Sequence, residues 1–484
     1  MALYDGTNGP LIKVYVDNSG LTPSAFVLGV STLAPNTNVF VASAVGNGTT
    51  IVFTCTNSFT AGQTVKVTGL GTGTGVSLNG TYIITSRNAT TFTVSSTKVG
   101  TTNNSGLAVV GDQLTTNTPY QSLVQIPSTD VRGIAIRRGR TREDQTFQPG
   151  TMTLELDNWS GAYDPQMLNS TWSIGTYSYF SAGRPIRVTA TWSGTEYNLY
   201  SGYIEQIDID QTLNPIVTIT CVDLLGILGR TDVSGNFGTG YGLGLGSTAS
   251  AAMADAVCAA AALPSSLYSN TGATIMAFAQ ITTPVTALSL LETLALGQGG
   301  RSFVNRSGVF NFQGYEYIVP ASAVLTFSDQ RTSGTIEYDD IAITPGSKYL
   351  RNQVTLVDAG NNSVTQTNAY SAQQYGLYSA TIDTFTSALG LSNANFLTCL
   401  NYLTNHFATP SYRVDSVSFD VMNLNGFGGS VWAGFLALEL GQRVSVARTP
   451  IYTTATTYDC LVQSINHDIT PNGWRTSLNL SPAN

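Results

Sequence analysis

Charged side chains are scarce in this sequence, in which Asp, Glu, Lys and Arg together make up 10 % of 484 residues. Their balance is acidic, with a formal net charge of −8 at pH 7. General affinity for nucleic acid requires a basic surface. The composition therefore argues against a protein that coats DNA or RNA, and an acidic wall would instead repel DNA that slides past it.

Histidine and cysteine are also few. His406 and His467 stand in no metal-binding or nucleophile signature, and we expect each to have a packing role or a local hydrogen bond. The cysteines are scattered without a C-x-x-C pair, which is not typical of a disulfide framework or a zinc site. We interpret them as small apolar core residues of a protein made in a reducing cytoplasm. They are Cys55, Cys221, Cys258, Cys399 and Cys460.

Motifs for catalysis, cofactors and membranes are missing too. The glycine-rich stretch 235–247 is neither G-x-G-x-x-G nor a P-loop, and residues 157–164 lack the spacing of an EF-hand, which favours a turn. The acidic pair Asp208 and Asp210 is typical of a solvated strand. No apolar run is long enough for a bilayer-spanning helix, and MALYDGTNGP is no signal peptide. We predict no enzyme, no catalytic residue, no cofactor, no metal and no membrane insertion.

What is abundant favours β-structure. The chain has 48 glycines and many Thr, Ser and Asn residues, which suit strands joined by tight turns. Ile12, Val14 and Val16 alternate with polar residues, as in a half-buried strand. Helical periods occur only locally, as in STASAAMADAVCAAAALP, PVTALSLLETLALG and NANFLTCLNYLTNHFATP. The predicted class is mainly β and multidomain, with two β-barrels around a small α+β domain and an inserted sandwich-like β domain.

Changes in composition along the chain predict the domain boundaries. Residues 36–110 are nearly all Thr, Val, Gly, Ser and Asn, and they interrupt a host domain. The predicted domains are a split first β-barrel (1–35 and 111–230), the inserted β domain (36–110), the α+β middle domain (231–345) and a second β-barrel (346–484).

Cationic side chains crowd into one stretch, RRGRTRE, which we interpret as a turn between two strands. Three interpretations are open: a DNA patch, a solvated loop with local ion pairs, or a polar contact between subunits in which arginine pairs with carboxylates. Neighbouring acidic residues and the absence of interleaved aromatics weigh against DNA. The candidate assembly contacts are Arg137, Arg138, Arg140, Arg142 and Glu143.

The string VRGIAIRRGRTREDQTFQPGTMTLELDNWSGAYDP, residues 131–165, resembles a signature of phage minor tail proteins of the tail-hub (baseplate hub) type. The elements shared with that family are R-R-G-R, an acidic residue, an aromatic before P-G, a Thr-rich strand, and L-D-N with a later D-P. GRPIRV, YSGYIEQI, ITCVDLL, RNQVTLV and the final CLVQSINHDITPNGWRTSLNLSP are similar to later parts of the family. The resemblance covers roughly residues 111–484 and the strand at 11–17, but not the insert.

This resemblance implies a structural protein of the virion tail tip, made in the bacterial host cytoplasm. Hubs of this kind are homotrimers in which two related barrels per chain form a pseudo-sixfold ring. The ring joins the tail tube or distal tail protein to a central fibre or spike, adjoins the tape measure protein and lines the DNA exit channel. The acidic balance predicts a lumen that lets DNA pass without specific binding.

Other functions stay open at the level of sequence. The insert at 36–110 is expected to decorate the ring, either as a weak adhesin for host glycans or as a bracket for other tail proteins. For the whole chain, the alternatives are a free-standing β-rich host-surface adhesin and a tail-associated cell-wall hydrolase. The hydrolase would need a further domain after the hub, whereas the sequence ends at Asn484.

Overall fold

The structure is a computed structural model, and it divides the chain into two compact units, Met1–Ser19 with Thr118–Asn484, and Gly20–Asn117. Most of the glycine-rich stretch and both connections to the insert lie outside the described residues. The residues that the structure describes are 10–17, 38–57, 59, 61, 64–68, 70, 74–102, 106–110, 123–143, 145–167, 171–174, 177–210, 213–237, 247–272, 275–277, 279–296, 299–314, 322–347, 349–357, 363–383, 394–410, 412–421, 429–450 and 454–483.

Strand β1 (Leu11–Asp17) precedes the insert and buries Ile12, Val14 and Val16, as their alternation predicts. The insert is an antiparallel sheet around a core of Phe53, Phe59 and Phe92, in which the rings of Phe53 and Phe92 stack at 4.7 Å. Its strands are β2 (Asn38–Val41), β3 (Ser43–Asn47), β4 (Thr50–Thr54), β5 (Thr64–Thr68), β6 (Thr74–Gly75), β7 (Gly80–Arg87), β8 (Thr91–Ser95), β9 (Val99–Thr102) and β10 (Gly106–Val110), in the order β2-β10-β5-β7-β8-β4-β3-β9-β6.

The host continues with a meander that ends in a short helix, α1 (Leu224–Leu228), whose N-cap is Asp223. The strands of this part are β11 (Leu123–Ile126), β12 (Val131–Gly139), β13 (Gln148–Asp157), β14 (Ser173–Ile174), β15 (Tyr177–Ser178), β16 (Pro185–Trp192), β17 (Thr195–Asp210) and β18 (Ile216–Val222).

A small α+β part follows, as the local helical periods predict. Its elements are β19 (Asp232–Phe237), β20 (Ser247–Ala249), α2 (Ser250–Ala260), β21 (Tyr268–Thr271), β22 (Ile275–Ala277), β23 (Ala279–Thr286), α3 (Ala287–Leu296), β24 (Arg301–Val304) and β25 (Phe310–Gln313). Strands β24 and β25 form an antiparallel hairpin, and β21 pairs with β25 in parallel.

The remaining strands pair mainly with one another. Between two of them lies a three-stranded sheet, β30-β29-β31, which packs against helix α5 through Val354, Leu356, Leu400 and Leu403. The elements are β26 (Leu325–Ser328), β27 (Ile336–Glu337), β28 (Asp340–Pro345), β29 (Gln353–Val357), β30 (Ser363–Thr367), α4 (Ala369–Tyr375), β31 (Ser379–Asp383), α5 (Ala394–His406), β32 (Tyr412–Asp420), α6 (Gly429–Ala437), β33 (Arg443–Arg448), β34 (Thr456–Thr470) and β35 (Gly473–Pro482).

Two strand arrangements of the same kind emerge from this pairing. The first array has the order β11-β1-β16-β17-β18-β13-β12, and the second has the order β27-β26-β33-β34-β35-β32-β28. Their five-strand portions, β16-β17-β18-β13-β12 and β33-β34-β35-β32-β28, therefore match strand for strand in chain order. The outer strands differ, because β1 is antiparallel to β16 whereas β26 is parallel to β33.

The match extends to single residues. The pairing of β17 with β18 shifts between Ile204 and Gln206, and the pairing of β34 with β35 shifts between Val462 and Ser464. The residue just before each shift accepts a hydrogen bond from a glycine. Gly183 donates its N–H to the carbonyl of Ile204 at 2.7 Å, and Gly441 donates its N–H to the carbonyl of Val462 at 2.7 Å. Both glycines have positive φ, 83° and 77°. The chain thus contains two copies of one β-arrangement.

The predicted mainly β class is confirmed, since strands make up 53 % and helices 15 % of the structure. The predicted barrels do not close within one chain: among the described strands, β12 pairs with β34, and the two arrays continue into one 14-stranded sheet. Sequence patterns revealed the strands but not the edge at which one array meets the other.

Candidate assembly site at the junction of the two arrays

The arginine-rich stretch lies where the two arrays meet. Arg137 and Arg138 belong to strand β12, which extends to Gly139, so the predicted turn begins later than expected and R-R-G is part of the strand. One edge of β12 pairs with β13, and the other pairs with β34 from Ile134 opposite Ile469 to Gly139 opposite Ser464. We call this pairing of residues 134–139 with residues 464–469 the array junction.

Arg138 is the buried cation of the array junction, and its side chain is only 5 % exposed. Its guanidinium contacts the carboxylate of Glu439 and donates to the carbonyl of Val304 at 3.2 Å. Glu439 also accepts the backbone N–H groups of Arg306 at 2.7 Å and Leu440 at 2.9 Å. A buried charge is tolerated when it is paired and hydrogen-bonded, and here the pair connects the first array to the segment that leads into β33.

Arg137 and Arg140 make further contacts across the array junction. Arg137 pairs with Asp468 at 2.6 Å, and both side chains are about half exposed. Arg140 donates from Nε to the side-chain oxygen of Gln463 at 2.7 Å, and its guanidinium lies 4.5 Å from the ring centroid of Phe147. Three of the five predicted contact residues therefore connect the two arrays of one chain.

Arg142 and Glu143 lie in the loop that follows and contact a different region. Arg142 stacks over the ring of Tyr349 at 5.1 Å, and the buried Glu143 carboxylate contacts Arg413 and, at 3.3 Å, Nε2 of His406. Burial alone would raise the pKa of Glu143, but the hydrogen bond to His406 and the charge of Arg413 outweigh it, so this pKa is lowered. The loop is thereby bound to α5 and to the start of β32.

A cleft of about 620 Å³ opens beside this loop, with Glu143, Arg351 and Tyr402 in its wall. A glycosidase would need two carboxylates that converge on one bond. In the described lining, Glu143 is the one carboxylate, and Arg413 and His406 already engage it. The cleft therefore offers no pair of carboxylates for acid–base work among its described residues.

The stretch from Asp157 to Asp164 forms turns, as predicted. Asp157 pairs with Arg132 at 3.0 Å, and Asn158 accepts the backbone N–H of Tyr163 at 3.0 Å through its side chain. In the part of the chain that the structure describes, no group of three or more His, Cys, Asp or Glu side chains is arranged to hold a metal ion. Among the described helices, none is long and apolar enough to cross a membrane.

The cysteines behave as core residues where the structure describes them. Cys55, Cys221, Cys258 and Cys460 are buried free thiols. Burial raises the pKa of Cys258 and of Cys460 to about 12 each, which leaves them protonated and unreactive at neutral pH. The side chain of Cys399 lies outside the described residues.

His467 lies at the array junction opposite Ile136 and is buried. Its Nδ1 accepts the indole N–H of Trp474 at 3.3 Å and lies 2.9 Å from the hydroxyl of Thr476. Because an indole N–H can only donate, Nδ1 carries no proton. Burial, followed by the charges of Arg138 and Arg137, lowers the pKa of His467 to about 3.

This histidine predicts a loss of stability in acid. The unfolded chain binds a proton at His467 below its ordinary pKa of about 6.5, whereas the folded chain does so only near pH 3, so stability falls as the pH drops between these values. His467→Gln should remove roughly 3 to 5 kcal/mol of that pH dependence, measured by urea unfolding from pH 7 to pH 3.5. The slope is the readout, because the variant also loses packing at pH 7. Parallel curves for variant and wild type would show that His467 does not carry the effect.

The partners of the arginines come from distant parts of the chain. Glu439, Gln463 and Asp468 lie roughly 300 or more residues after their arginine partners. No local pattern marks them, because strand pairing between the arrays, not sequence proximity, brings them together. His406 and His467 have the packing and hydrogen-bonding roles that their lack of a motif predicts.

Comparison with known proteins gives similarities of fold. No protein-family model and no curated protein sequence matches the chain. A tail protein from Neisseria meningitidis MC58 is 11 % identical over 74 % of this chain and 93 % of its own, with a TM-score of 0.49. The 43 kDa tail protein of prophage MuSo2 from Shewanella oneidensis is 12 % identical over 75 % and 96 %, with a TM-score of 0.47. The prophage tail protein gp18 from Listeria monocytogenes EGD-e is 10 % identical over 74 % and 91 %, with a TM-score of 0.41. All three are tail proteins, and at these identities and scores the likeness concerns the fold alone.

Proposed function

We propose that this protein is a structural component of a phage tail tip, a tail hub. Three copies form a ring that joins the tail tube or distal tail ring to a central fibre or spike and surrounds the DNA exit channel. The observation that carries the proposal is the repeated array: one chain holds two copies of one strand order, joined edge to edge. Three such chains supply six similar units, which suits a ring between a sixfold tube and a threefold spike.

The charge of the chain supports passage of DNA rather than its capture. The net charge is −8, and Arg137, Arg138 and Arg140 are engaged by acceptors within the protein. A channel wall of this composition would attract few phosphates and would release few counterions on contact with DNA. We propose that DNA passes through the lumen without specific binding.

The arginine-rich stretch serves assembly in this proposal. Within one chain, Arg137, Arg138 and Arg140 hold one array against the other, and Arg142 with Glu143 binds the following loop to α5 and β32. The proposed role is to set the angle at which successive arrays follow each other around the ring.

The test is the mass and shape of the assembled protein. Multi-angle light scattering of the full chain should give three copies, and electron microscopy of the tail tip should show a ring with six similar lobes. A chain that stays monomeric in every preparation and binds glycans would support a free-standing adhesin instead. Clearing of cell walls in a zymogram by the purified chain would support the hydrolase.

A further inference from the structure

We propose that strand β28 of one copy pairs with residues 206–210 of β17 in the next copy, in the same way that β12 pairs with β34 inside one chain. This inference rests on the ring proposed as the function, and it specifies the contact that closes that ring. Its template is the array junction, which is fully visible in a single chain.

The long strand β34 uses one edge for two partners. Residues Thr456–Leu461 pair with β33, and after the bulge at Gln463 the same edge pairs with β12 from Ser464 to Ile469. The other edge pairs with β35 from Cys460 to Thr470. The second half of β34 thus pairs with the edge strand of the other array, β12.

Strand β17 is built in the same way, but no described strand pairs with the corresponding edge of its second half. Residues Thr195–Tyr203 pair with β16, and the bulge at Glu205 corresponds to the bulge at Gln463. Counting from these bulges, Gln206–Asp210 correspond to Ser464–Asp468. Among the described strands, β16 and β18 are the partners of β17, and neither covers the edge of Gln206–Asp210 that corresponds to the array junction.

Strand β28 is the counterpart of β12. In the first array Ile134 lies opposite Leu154, which lies opposite Ile219 of β18; in the second, Ile341 lies opposite Val417, which lies opposite Leu478 of β35. The sequences share I-A-I in the middle of these segments, G-I-A-I-R at 133–137 and D-I-A-I-T at 340–344. Within the described part of the chain, β28 pairs with β32 on one edge and with no strand on the other.

The burial of isoleucines on β12 and β34 differs from that of their counterparts on β28 and β17. At the array junction, Ile134 and Ile136 of β12 are 2 % and 0 % exposed, and Ile465 of β34 is 3 % exposed. Their counterparts are only half-buried in a single chain. These counterparts are Ile341, Ile343 and Ile207. Pairing of β28 with β17 of another copy would bury isoleucine on both sides, as the array junction does.

Two glycines give an independent sign of the same contact. Gly139 follows Arg138 with φ 109°, and a Cβ there would overlap the carbonyl oxygen of Gln463 in the neighbouring array. Gly346 occupies the corresponding position after β28 with φ 140°, yet apart from its chain neighbours no atom of the described residues lies within 4 Å of the place where its Cβ would be. The second array therefore has the backbone conformation that allows close approach, at a place where the described residues of the same chain supply no neighbour.

The contact is heterologous, because each copy offers one β28 and one β17. Such contacts form a closed ring when the rotation per step divides the circle. With three copies, three junctions within chains and three between chains would alternate around the ring. The contact is less strongly paired than the array junction, since Thr344 stands where Arg137 stands and Pro345 lacks an N–H.

The test is a disulfide placed across the proposed pairing. Ala342 corresponds to Ala135, which lies opposite Asp468, so Ala342 should lie opposite Asp210 of the next copy. The full chain carrying Ala342→Cys and Asp210→Cys should form covalent dimers and trimers on oxidation, seen in gels without reductant. Ala342→Cys with Asp208→Cys is the matched control, because side chains two residues out of register lie about 7 to 8 Å apart, beyond the reach of a disulfide.

The outcomes separate the two proposals. Preferential cross-linking of the matched pair over the control, with wild-type chain unlinked, supports the pairing. A trimer by light scattering in which both pairs cross-link equally, or neither does, overturns the pairing and leaves the ring. A chain that is monomeric both alone and in the tail particle overturns the ring and the pairing together.

Discussion

Replacement of Arg138 by methionine is expected to lower the free energy of unfolding by about 3 to 5 kcal/mol. Methionine keeps much of the side-chain volume but leaves the carboxylate of Glu439, which is only 17 % exposed, without its guanidinium partner. The remaining hydrogen bonds to this carboxylate come from the backbone N–H groups of Arg306 and Leu440, which are neutral. The side-chain charge of Arg306 also attracts Glu439, but without a direct hydrogen bond it replaces the lost guanidinium only in part. A single buried ion is costly because its desolvation is no longer offset by attraction.

A matched control exists one residue away. Arg137 also pairs with a carboxylate from the second array, Asp468, but both side chains are about half exposed to solvent. Arg137→Met should therefore cost roughly 0 to 1 kcal/mol. Urea unfolding of both variants at pH 7 compares the two losses of unfolding free energy. The comparison isolates the effect of burial, because both arginines lie in β12 and both pair with a carboxylate of the second array.

A double-mutant cycle then separates the pair from its surroundings. Arg138→Met and Glu439→Gln together should cost less than the sum of the two single changes, because the double variant removes both charges of the pair and leaves neither without the other. Additive losses would show that Arg138 stabilises the array junction through packing and its bond to Val304 rather than through Glu439.

The strands and the three main helices could be predicted from the sequence, because local periodicity reports which side chains face a core. The alternation of Ile12, Val14 and Val16 predicted β1, and the apolar periods before Pro264 and Gly297 predicted α2 and α3. Helix α6, with its sequence GSVWAGFLA, was not predicted, since it is apolar on all sides and has no amphipathic period.

The array junction could not be predicted, for two physical reasons. Its strands are about 330 residues apart in the chain, and edge-to-edge pairing uses backbone groups that every sequence carries. The end of β12 was also misplaced: Arg137 and Arg138 were predicted to lie in a turn, whereas β34 supplies backbone partners that keep them in a strand and Glu439 neutralises Arg138. The resemblance between G-I-A-I-R and D-I-A-I-T was present in the sequence, but three shared residues indicate a repeat only once β12 and β28 are seen to occupy the same place in their arrays.

Substitution of Gly139 by alanine is the second change with a large expected effect. Alanine at φ 109° is strained, and its Cβ would overlap the carbonyl oxygen of Gln463 and lie 2.6 Å from Cα of Ser464. Strain and the displacement of backbone together should cost roughly 3 to 5 kcal/mol of unfolding free energy. Because both atoms belong to β34, the loss should appear as weakened pairing of β12 with β34, measured by hydrogen exchange of the amides from Ser464 to Ile469.

Gly346→Ala is the matched change at the other end of the chain's repeat. Alanine at φ 140° is strained in the same sense, but among the described residues only its chain neighbours lie within 4 Å of the added Cβ, so a single chain should lose only about 1 to 2 kcal/mol. If β28 receives a neighbouring copy, this mild change places a methyl group against the backbone of that copy and should abolish the trimer while the monomer stays folded. Light scattering and thermal unfolding on the same sample separate the two effects, and a Gly346→Ala chain that still assembles would show that Gly346 does not face a neighbour. The two substitutions together separate the two junctions: Gly139→Ala should weaken the junction that forms when one chain folds, and Gly346→Ala should weaken the junction that forms only when copies assemble.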